Sequence, residues 1–318
     1  MDSNDAEITY KVIDGGFSTE LENRGFSLGG DPLWSARLLA TNPDEVKEVH
    51  KSFLVDGADI IETGTYQASV WGFQKFHGTT ESEAKELLKK GVQLAVEARD
   101  EFWEELKKSG KDTGRSFPLV AASLGPRAVF YADASEYTGD YVTKDSKQVL
   151  LDWHRQQVEV IAEVNPDILA IDTVPALAEA EAIVELLQDF PNQKAWICFS
   201  CKDDEHVSHG EKFADAIKVA ATAPSVIGVG VNCTPPQYVE GLLKQIKGEN
   251  GDKILIVFPN SGEIWHEDGH WHGNKNAKKL SEYVPAWIEA GAKWIGGCCR
   301  VTPQDISEVK KAMKEKVS

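Results

Sequence analysis

Phosphate-binding loops are missing from this chain: no G-x-x-x-x-G-K-[ST] run occurs, and no G-x-G-x-x-G follows a candidate strand and opens a helix. No serine occupies a G-x-S-x-G elbow, so nucleotide and serine-hydrolase chemistries both lack their motifs. Basic residues are scarce, 34 Lys and Arg against 51 Asp and Glu, and the formal charge of -17 disfavours polyanionic partners such as nucleic acid or an anionic membrane. A cationic small molecule meets no such barrier. Long apolar runs are absent, and nothing approaches the roughly 20 residues that cross a bilayer as a helix. The first residues, Met1-Asp2-Ser3-Asn4-Asp5-Ala6-Glu7, carry neither the basic nor the apolar region of a signal peptide, so a cytoplasmic location is expected. Cysteine is sparse, and five in 318 residues, an odd count, fits a reducing compartment better than a disulfide framework.

What the chain does contain is alternation. Short runs rich in Val and Ile occur at Tyr10 to Gly16, Asp59 to Tyr66, Pro118 to Gly125, Pro166 to Thr173, Lys194 to Cys201, Val226 to Cys233, Lys253 to Gly262 and Trp294 to Cys299, each followed by a helical pattern. From Glu81 to Lys108, Ala84, Leu88, Gly91, Ala95, Ala98, Phe102 and Leu106 recur at three- and four-residue spacing, which predicts an amphipathic helix lying on a sheet. Asn42-Pro43-Asp44-Glu45 and Thr302-Pro303-Gln304-Asp305 read as helix starts after the first and eighth runs. Eight strand and helix units favour an α/β fold of the single (β/α)8 barrel type over a doubly wound sheet. Such barrels place their chemistry at the C-terminal ends of the strands.

Polar and metal-binding groups do collect at those ends. They include Asp14-Gly15-Gly16, Glu62-Thr63-Gly64-Thr65-Tyr66-Gln67, Ser123, Asp172-Thr173, Asn232-Cys233, Asn260-Ser261-Gly262-Glu263 and Cys298-Cys299-Arg300. Cys233 ends the sixth run and the Cys298-Cys299 pair ends the eighth, so one barrel mouth can gather all three thiols. Three thiolates are one ligand short of a closed tetrahedral zinc site. Neighbouring strand residues face opposite ways, so both members of the pair can bind one ion only if the backbone leaves strand geometry, which Gly296 and Gly297 allow. The residues alone leave two readings open, zinc ligands or buried structural cysteines.

Other chemistry-bearing residues invite blander readings. Cys198 and Cys201 form a C-x-x-C whose offset on a strand sends the two thiols to opposite faces, against a redox or metal role. His266, His270 and His272 flank a turn-like Glu-Asp-Gly and read as a solvated loop. His50, among Val46, Val49, Phe53 and Leu54, reads as a hydrogen-bonded structural histidine.

Taken together, several motifs resemble the homocysteine S-methyltransferase family, which includes enzymes using S-methylmethionine and relatives using betaine or methylfolate. The resemblance runs over Asp14-Gly15-Gly16-Phe17-Ser18-Thr19, Pro32-Leu33-Trp34-Ser35, Thr65-Tyr66-Gln67-Ala68-Ser69, Ser123-Leu124-Gly125-Pro126, Tyr137-Thr138-Gly139-Asp140-Tyr141, Gly230-Val231-Asn232-Cys233, Pro259-Asn260-Ser261-Gly262-Glu263 and Gly296-Gly297-Cys298-Cys299-Arg300. It implies one homocysteine-binding barrel over residues 1–318 that moves a methyl group to the sulfur of homocysteine and forms methionine, as a monomer or homodimer. It further implies Zn2+ on Cys233, Cys298 and Cys299, with the substrate sulfur as fourth ligand. Asp14 and Asp172 are expected to grip the amino group, with Gly15, Glu62 and Thr63 nearby and Asn232, Asn260, Ser261 and Glu263 as further substrate contacts. Two residues depart from the family pattern: Asp172 stands where glutamate is usual, and Gly64 where many relatives carry asparagine. Trp265 and Trp271 look like the branch whose donor is a sulfonium such as S-methylmethionine, possible partners for a cation by its attraction to aromatic faces. S-adenosylmethionine is a weaker donor candidate. The neighbouring alternatives are a betaine donor and a non-catalytic zinc-binding barrel. The methylfolate and cobalamin version is disfavoured because those enzymes join the barrel to further domains.

Overall fold

In a computed structural model of the protein, residues 10–110, 114–265, 271–273 and 278–317 are described. The apolar runs form parallel strands in chain order: β1 (Lys11–Val12), β2 (Ile60–Glu62), β3 (Leu119–Leu124), β4 (Ile168–Val174), β5 (Ala195–Phe199), β6 (Val226–Asn232) and β7 (Ile254–Phe258). A small antiparallel hairpin, β8 (Ile264–Trp265) with β9 (Trp271–His272), follows, and β10 (Trp294–Ile295) completes the main sheet. Sheet order is β1-β10-β7-β6-β5-β4-β3-β2. Its two ends meet, since Ile13 and Ile60 form a parallel bridge, the Asp59 amide donates to Val12 O at 2.7 Å, and the Asp14 amide donates to Ile60 O at 3.0 Å. The architecture is the (β/α)8 barrel expected from the eight repeats.

Each predicted run holds a strand, but most strands stop short of the predicted end. β1 ends at Val12, β2 at Glu62 and β10 at Ile295, because the residues beyond them turn inward to build the barrel mouth. Thr173, Cys233 and Arg300 adopt left-handed backbone at φ 59, 45 and 66°. For residues with a Cβ this conformation costs roughly 1 kcal/mol or more, and such strain gathers at functional sites.

Inside the barrel, Ile13, Ile60, Ala121, Ile168, Ala170, Trp196, Cys198, Ile256, Phe258 and Trp294 pack as one cluster. The Trp196 ring centres 6.0 Å from Phe258 and 6.1 Å from Trp294, closing the interior with aromatic bulk. Cys198 belongs to this interior while Cys201 packs in the layer between strands and helices, so the C-x-x-C points both ways as the strand period requires.

The amphipathic helix spans Glu81–Lys108, starts with Thr80 and Glu83 in a capping box, and buries Ala84, Leu88, Ala95, Ala98 and Phe102. Helices Pro43–Asp56 and Pro303–Val317 begin at the two prolines read as starts. On the first of them His50 is fully buried, yet neither ring nitrogen has a hydrogen-bond partner among the described residues, which corrects the expectation of a satisfied histidine. Its ring packs 5.1 Å from that of Phe17, and burial pushes its pKa down to about 3, so it is neutral. Among the described residues no helix is long and apolar enough to cross a membrane. His266 and His270 lie outside the described residues, and the side chains of Trp265, Trp271 and His272 are likewise outside them.

Candidate metal centre and substrate cavity

At the C-terminal mouth Cys233, Cys298 and Cys299 bring their sulfurs within 4.8 Å of one another. Cys233 reaches this point by leaving β6 in a left-handed turn, its amide donating to Phe258 O at 3.3 Å. After β10 the chain makes the departure that Gly296 and Gly297 predicted. The Gly297 amide donates to Asp14 O at 2.9 Å, the Cys298 amide to Pro259 O at 2.8 Å, and the Ser261 amide to Cys299 O at 3.1 Å. A Cβ on Gly296 would lie 2.7 Å from both Ile13 Cβ and Ile13 O, so only glycine fits between this turn and β1.

Zinc bound by thiolates at about 2.3 Å in a tetrahedron sets their sulfurs about 3.8 Å apart. Cys299 Sγ lies 3.8 Å from Cys233 Sγ and 4.0 Å from Cys298 Sγ, close to that edge. Cys233 and Cys298 have Cα atoms 5.5 Å apart, and both must be reduced to act as thiolates. Burial pushes the Cys299 thiol up to about 11, with Glu136 adding to the shift. A bound cation reverses that balance and deprotonates a coordinating thiol. The donor set therefore fits a zinc ion.

The thiols close one end of a cavity of about 670 Å³ lined by Gly15, Phe17, Trp34, Tyr66, Tyr137 and Phe258 among others. Among the described lining residues six are acidic, Glu22, Asp31, Glu62, Asp133, Glu136 and Asp172, and none is Lys, Arg or His. Asp31 pairs with His77 at 2.9 Å and Glu22 lies 4.0 Å from Arg300, but the other four have no cationic partner among the described residues.

Asp172 lines the cavity and is 2% exposed; Asp14, equally buried, is not among the lining residues and lies directly behind Gly15 and Glu62, which are. Asp172 Oδ1 accepts from Trp196 Nε1 at 2.7 Å and Oδ2 from Ser123 Oγ at 2.8 Å. Asp14 Oδ2 accepts the Glu62 amide at 2.9 Å. Burial pushes the Asp172 carboxyl up to about 6. Burial also lifts Asp14 and Glu62 well above the usual carboxylate range, and the charge of Asp172 raises both further.

The remaining expected contacts divide. Thr63 lines the cavity, but its hydroxyl is engaged with Thr65 at 2.5 Å and accepts the Ser123 amide at 3.0 Å. Asn232 also lines it, and its amide clamps the left-handed Thr173 at both ends: Oδ1 accepts Thr173 N and Nδ2 donates to Thr173 Oγ1, each at 2.8 Å. Asn260, Ser261 and Glu263 are not among the lining residues. Ser261 holds the Cys299 carbonyl, and Glu263 accepts from Arg300 Nε at 2.7 Å, so this segment braces the cysteine turn. Ala132, Asp133, Ala134, Glu136 and Tyr137 also line the cavity, and their signal in the sequence is the Tyr137-Thr138-Gly139 motif.

Fold and site together define a class: a (β/α)8 barrel whose mouth holds a three-cysteine metal site beside an acidic substrate cavity. Residues 11–313 match the family model described as homocysteine S-methyltransferase. The chain belongs to the homocysteine S-methyltransferase family. It is 44% identical over 313 residues to homocysteine S-methyltransferase 1 of Zea mays, covering 95% of this chain and 94% of that one. It is 40% identical over 309 residues to a betaine-homocysteine S-methyltransferase of Drosophila melanogaster, covering 93% and 92%. Among solved structures, the metallated form of the homocysteine methyltransferase MmuM from Escherichia coli superposes with a TM-score of 0.82 at 36% identity, covering 95% of this chain and 96% of that one.

Proposed function

We propose that the cavity binds homocysteine with its sulfur toward the three cysteines and its ammonium on the floor carboxylates, and takes an onium methyl donor in the remaining space. The observation that carries this reading is the combination of three converging thiols with a cavity whose described lining holds six carboxylates and no basic side chain. Such a lining suits two cationic ligands and repels polyanionic donors.

Cys233, Cys298 and Cys299 would hold a zinc ion, whose positive charge would favour the thiolate form of the substrate sulfur at neutral pH. Asp172, fixed by Trp196 and Ser123, and Asp14, fixed by the Glu62 amide, orient the homocysteine ammonium, with Glu62 beside them. Asn232 holds Thr173 so that the wall beside Asp172 keeps its shape. Phe17, Trp34, Tyr66 and Tyr137 offer aromatic faces to the donor's onium and keep water from the reacting atoms.

The thiol proton of homocysteine is lost to solvent and its sulfur attacks the donor methyl carbon. The onium–methyl bond breaks with its electron pair staying on the leaving atom, which departs neutral. No acid is required, so the chain's contribution is alignment. With S-methylmethionine both products are methionine.

The donor is a sulfonium in this reading. A betaine donor is the second reading, favoured by the 40% identity to the Drosophila melanogaster relative. The protein works as one barrel over its 318 residues in a reducing cytoplasm, where the cysteines stay available as thiolates. Reduced, zinc-loaded protein incubated with homocysteine and S-methylmethionine, S-adenosylmethionine or betaine is expected to form methionine, read by mass spectrometry. Absence of methionine with every donor refutes the reading.

A further inference from the structure

Glu136 is the acid that the acceptor does not use. Among the inner carboxylates, Asp172 acts on Asp14 and Glu62, while the carboxylate that raises Glu136 is Asp133. Glu136 lines the same cavity as Tyr66, Tyr137 and the three cysteines, and its charge is felt by Cys299, Tyr137 and Tyr66. Tyr66 lines the cavity together with Glu136, Thr173 and Asp172. Burial pushes the Glu136 carboxyl up to about 7, and no Lys, Arg or His among the described residues pairs with it.

The segment carrying Glu136 is held in a fixed shape. Ala132 and Ala134 adopt left-handed backbone at φ 56 and 61°, a cost that the surrounding contacts must offset. Ser200 Oγ donates to the Glu136 carbonyl at 2.7 Å, and Ser208 supports Ser200 at 2.8 Å. Upstream, the Arg127 amide donates to the fully buried Glu179 at 2.7 Å, and Tyr141 and His154 converge on the same carboxylate. The backbone that carries Glu136 is thus strained and tied, and from it Glu136 lines the cavity.

We propose that Glu136, assisted by Asp133, receives the ammonium of the methyl donor, so the enzyme selects donors that carry an amine alongside the onium: α-amino-acid sulfoniums over amine-free sulfoniums and betaines. The proposal rests on the methyl-transfer reading above. It adds which end of the cavity each ligand occupies, with acceptor amine on Asp14 and Asp172 and donor amine on Glu136. A betaine, whose only cation is its own quaternary nitrogen, leaves Glu136 without a partner, and the desolvated carboxylate then counts against binding.

The test compares wild type, Glu136→Gln, Glu136→Asp and Asp14→Asn, each reduced and zinc-loaded, with S-methylmethionine and with dimethylsulfoniopropionate, which keeps the sulfonium and carboxylate but lacks the amine. Calorimetric binding of both donors accompanies methionine formation. Glu136→Gln is expected to weaken S-methylmethionine about ten- to hundredfold in KM and in direct binding, as loss of a charged hydrogen bond does, and to leave dimethylsulfoniopropionate and homocysteine within about twofold. Glu136→Asp should recover part of the loss, and Asp14→Asn should raise KM for homocysteine instead. Equal weakening of both sulfoniums, a shift in homocysteine KM alone, or no change with Glu136→Gln each overturns the assignment. Failure of wild type to make methionine refutes the parent reading, and the binding comparison still decides whether Glu136 recognises the amine.

Discussion

Replacing Gly297 by alanine isolates the backbone device that lets neighbouring cysteines share one ion. The added methyl would run into the Val301 isopropyl group, 2.6 Å from Cβ and 2.7 Å from Cγ2. Val301 is 1% exposed and β-branched, so it cannot swing aside, and overpacking of this kind costs about 1–3 kcal/mol. If the protein relieves the clash by moving the turn, Cys298 and Cys299 shift from the positions that bring Cys299 within 4.0 Å of Cys298 and 3.8 Å of Cys233. At 1.4 kcal/mol per decade the zinc association constant should then fall roughly 5- to 150-fold. Competition against a chromophoric chelator reads that constant. Adding Val301→Ala removes the two obstructing methyls but keeps the Cβ 2.6 Å away, so it should restore part of the affinity. Gly296→Ala offers no such rescue, because its methyl meets the carbonyl oxygens of Ile13 and Asp14 at 2.7 and 2.8 Å, atoms that no side-chain change removes. Wild-type zinc affinity in Gly297→Ala, or a Val301→Ala partner that restores nothing, would refute the reasoning.

Three further outcomes are expected. Cys233→Ser should lose stoichiometric zinc, measured by inductively coupled plasma analysis after desalting, and with it methionine formation. The kcat/KM for homocysteine should fall as pH drops through about 6, where Asp172 gains a proton and stops attracting the ammonium; a profile flat down to about pH 5, with zinc content held constant, contradicts the assigned role. Because the folded pKa of His50 is depressed to about 3 from 6.5, protonation favours the unfolded chain, and stability is lost as pH falls below 6.5. The loss between about pH 7 and pH 5 should be about 2 kcal/mol by denaturant titration, and His50→Leu should lack that component of the slope.

The barrel was legible because eight apolar runs, each followed by a helical pattern, leave few other topologies, and the long helix Glu81–Lys108 matched its sequence period from first to last residue. The cysteine trio was legible because strand ends define one mouth and the glycine pair marked where the strand breaks. Contacts made by side chains reaching between strands were not legible. Nothing in local sequence says that Trp196 of β5 donates to Asp172 of β4, or that Asn232 of β6 spends its amide on Thr173. Glu136 was missed for a related reason: it lies on an irregular segment between β3 and β4, where neither period applies and only the folded path turns it toward the cavity. His50 was misjudged because its apolar neighbours were read correctly and its missing partners cannot be seen in a sequence.

Trp196 belongs to two systems at once. Its ring packs against Phe258 and Trp294 at the centre of the barrel, and its indole N–H holds the carboxylate assigned to the substrate amine. Core repair and catalytic tuning therefore draw on the same atoms. A lineage drifting toward a smaller residue at this position would lose packing and, in the same step, release Asp172 to reorient or protonate, so neither change could be selected alone. Packing of the barrel interior and placement of the Asp172 carboxylate therefore share one side chain.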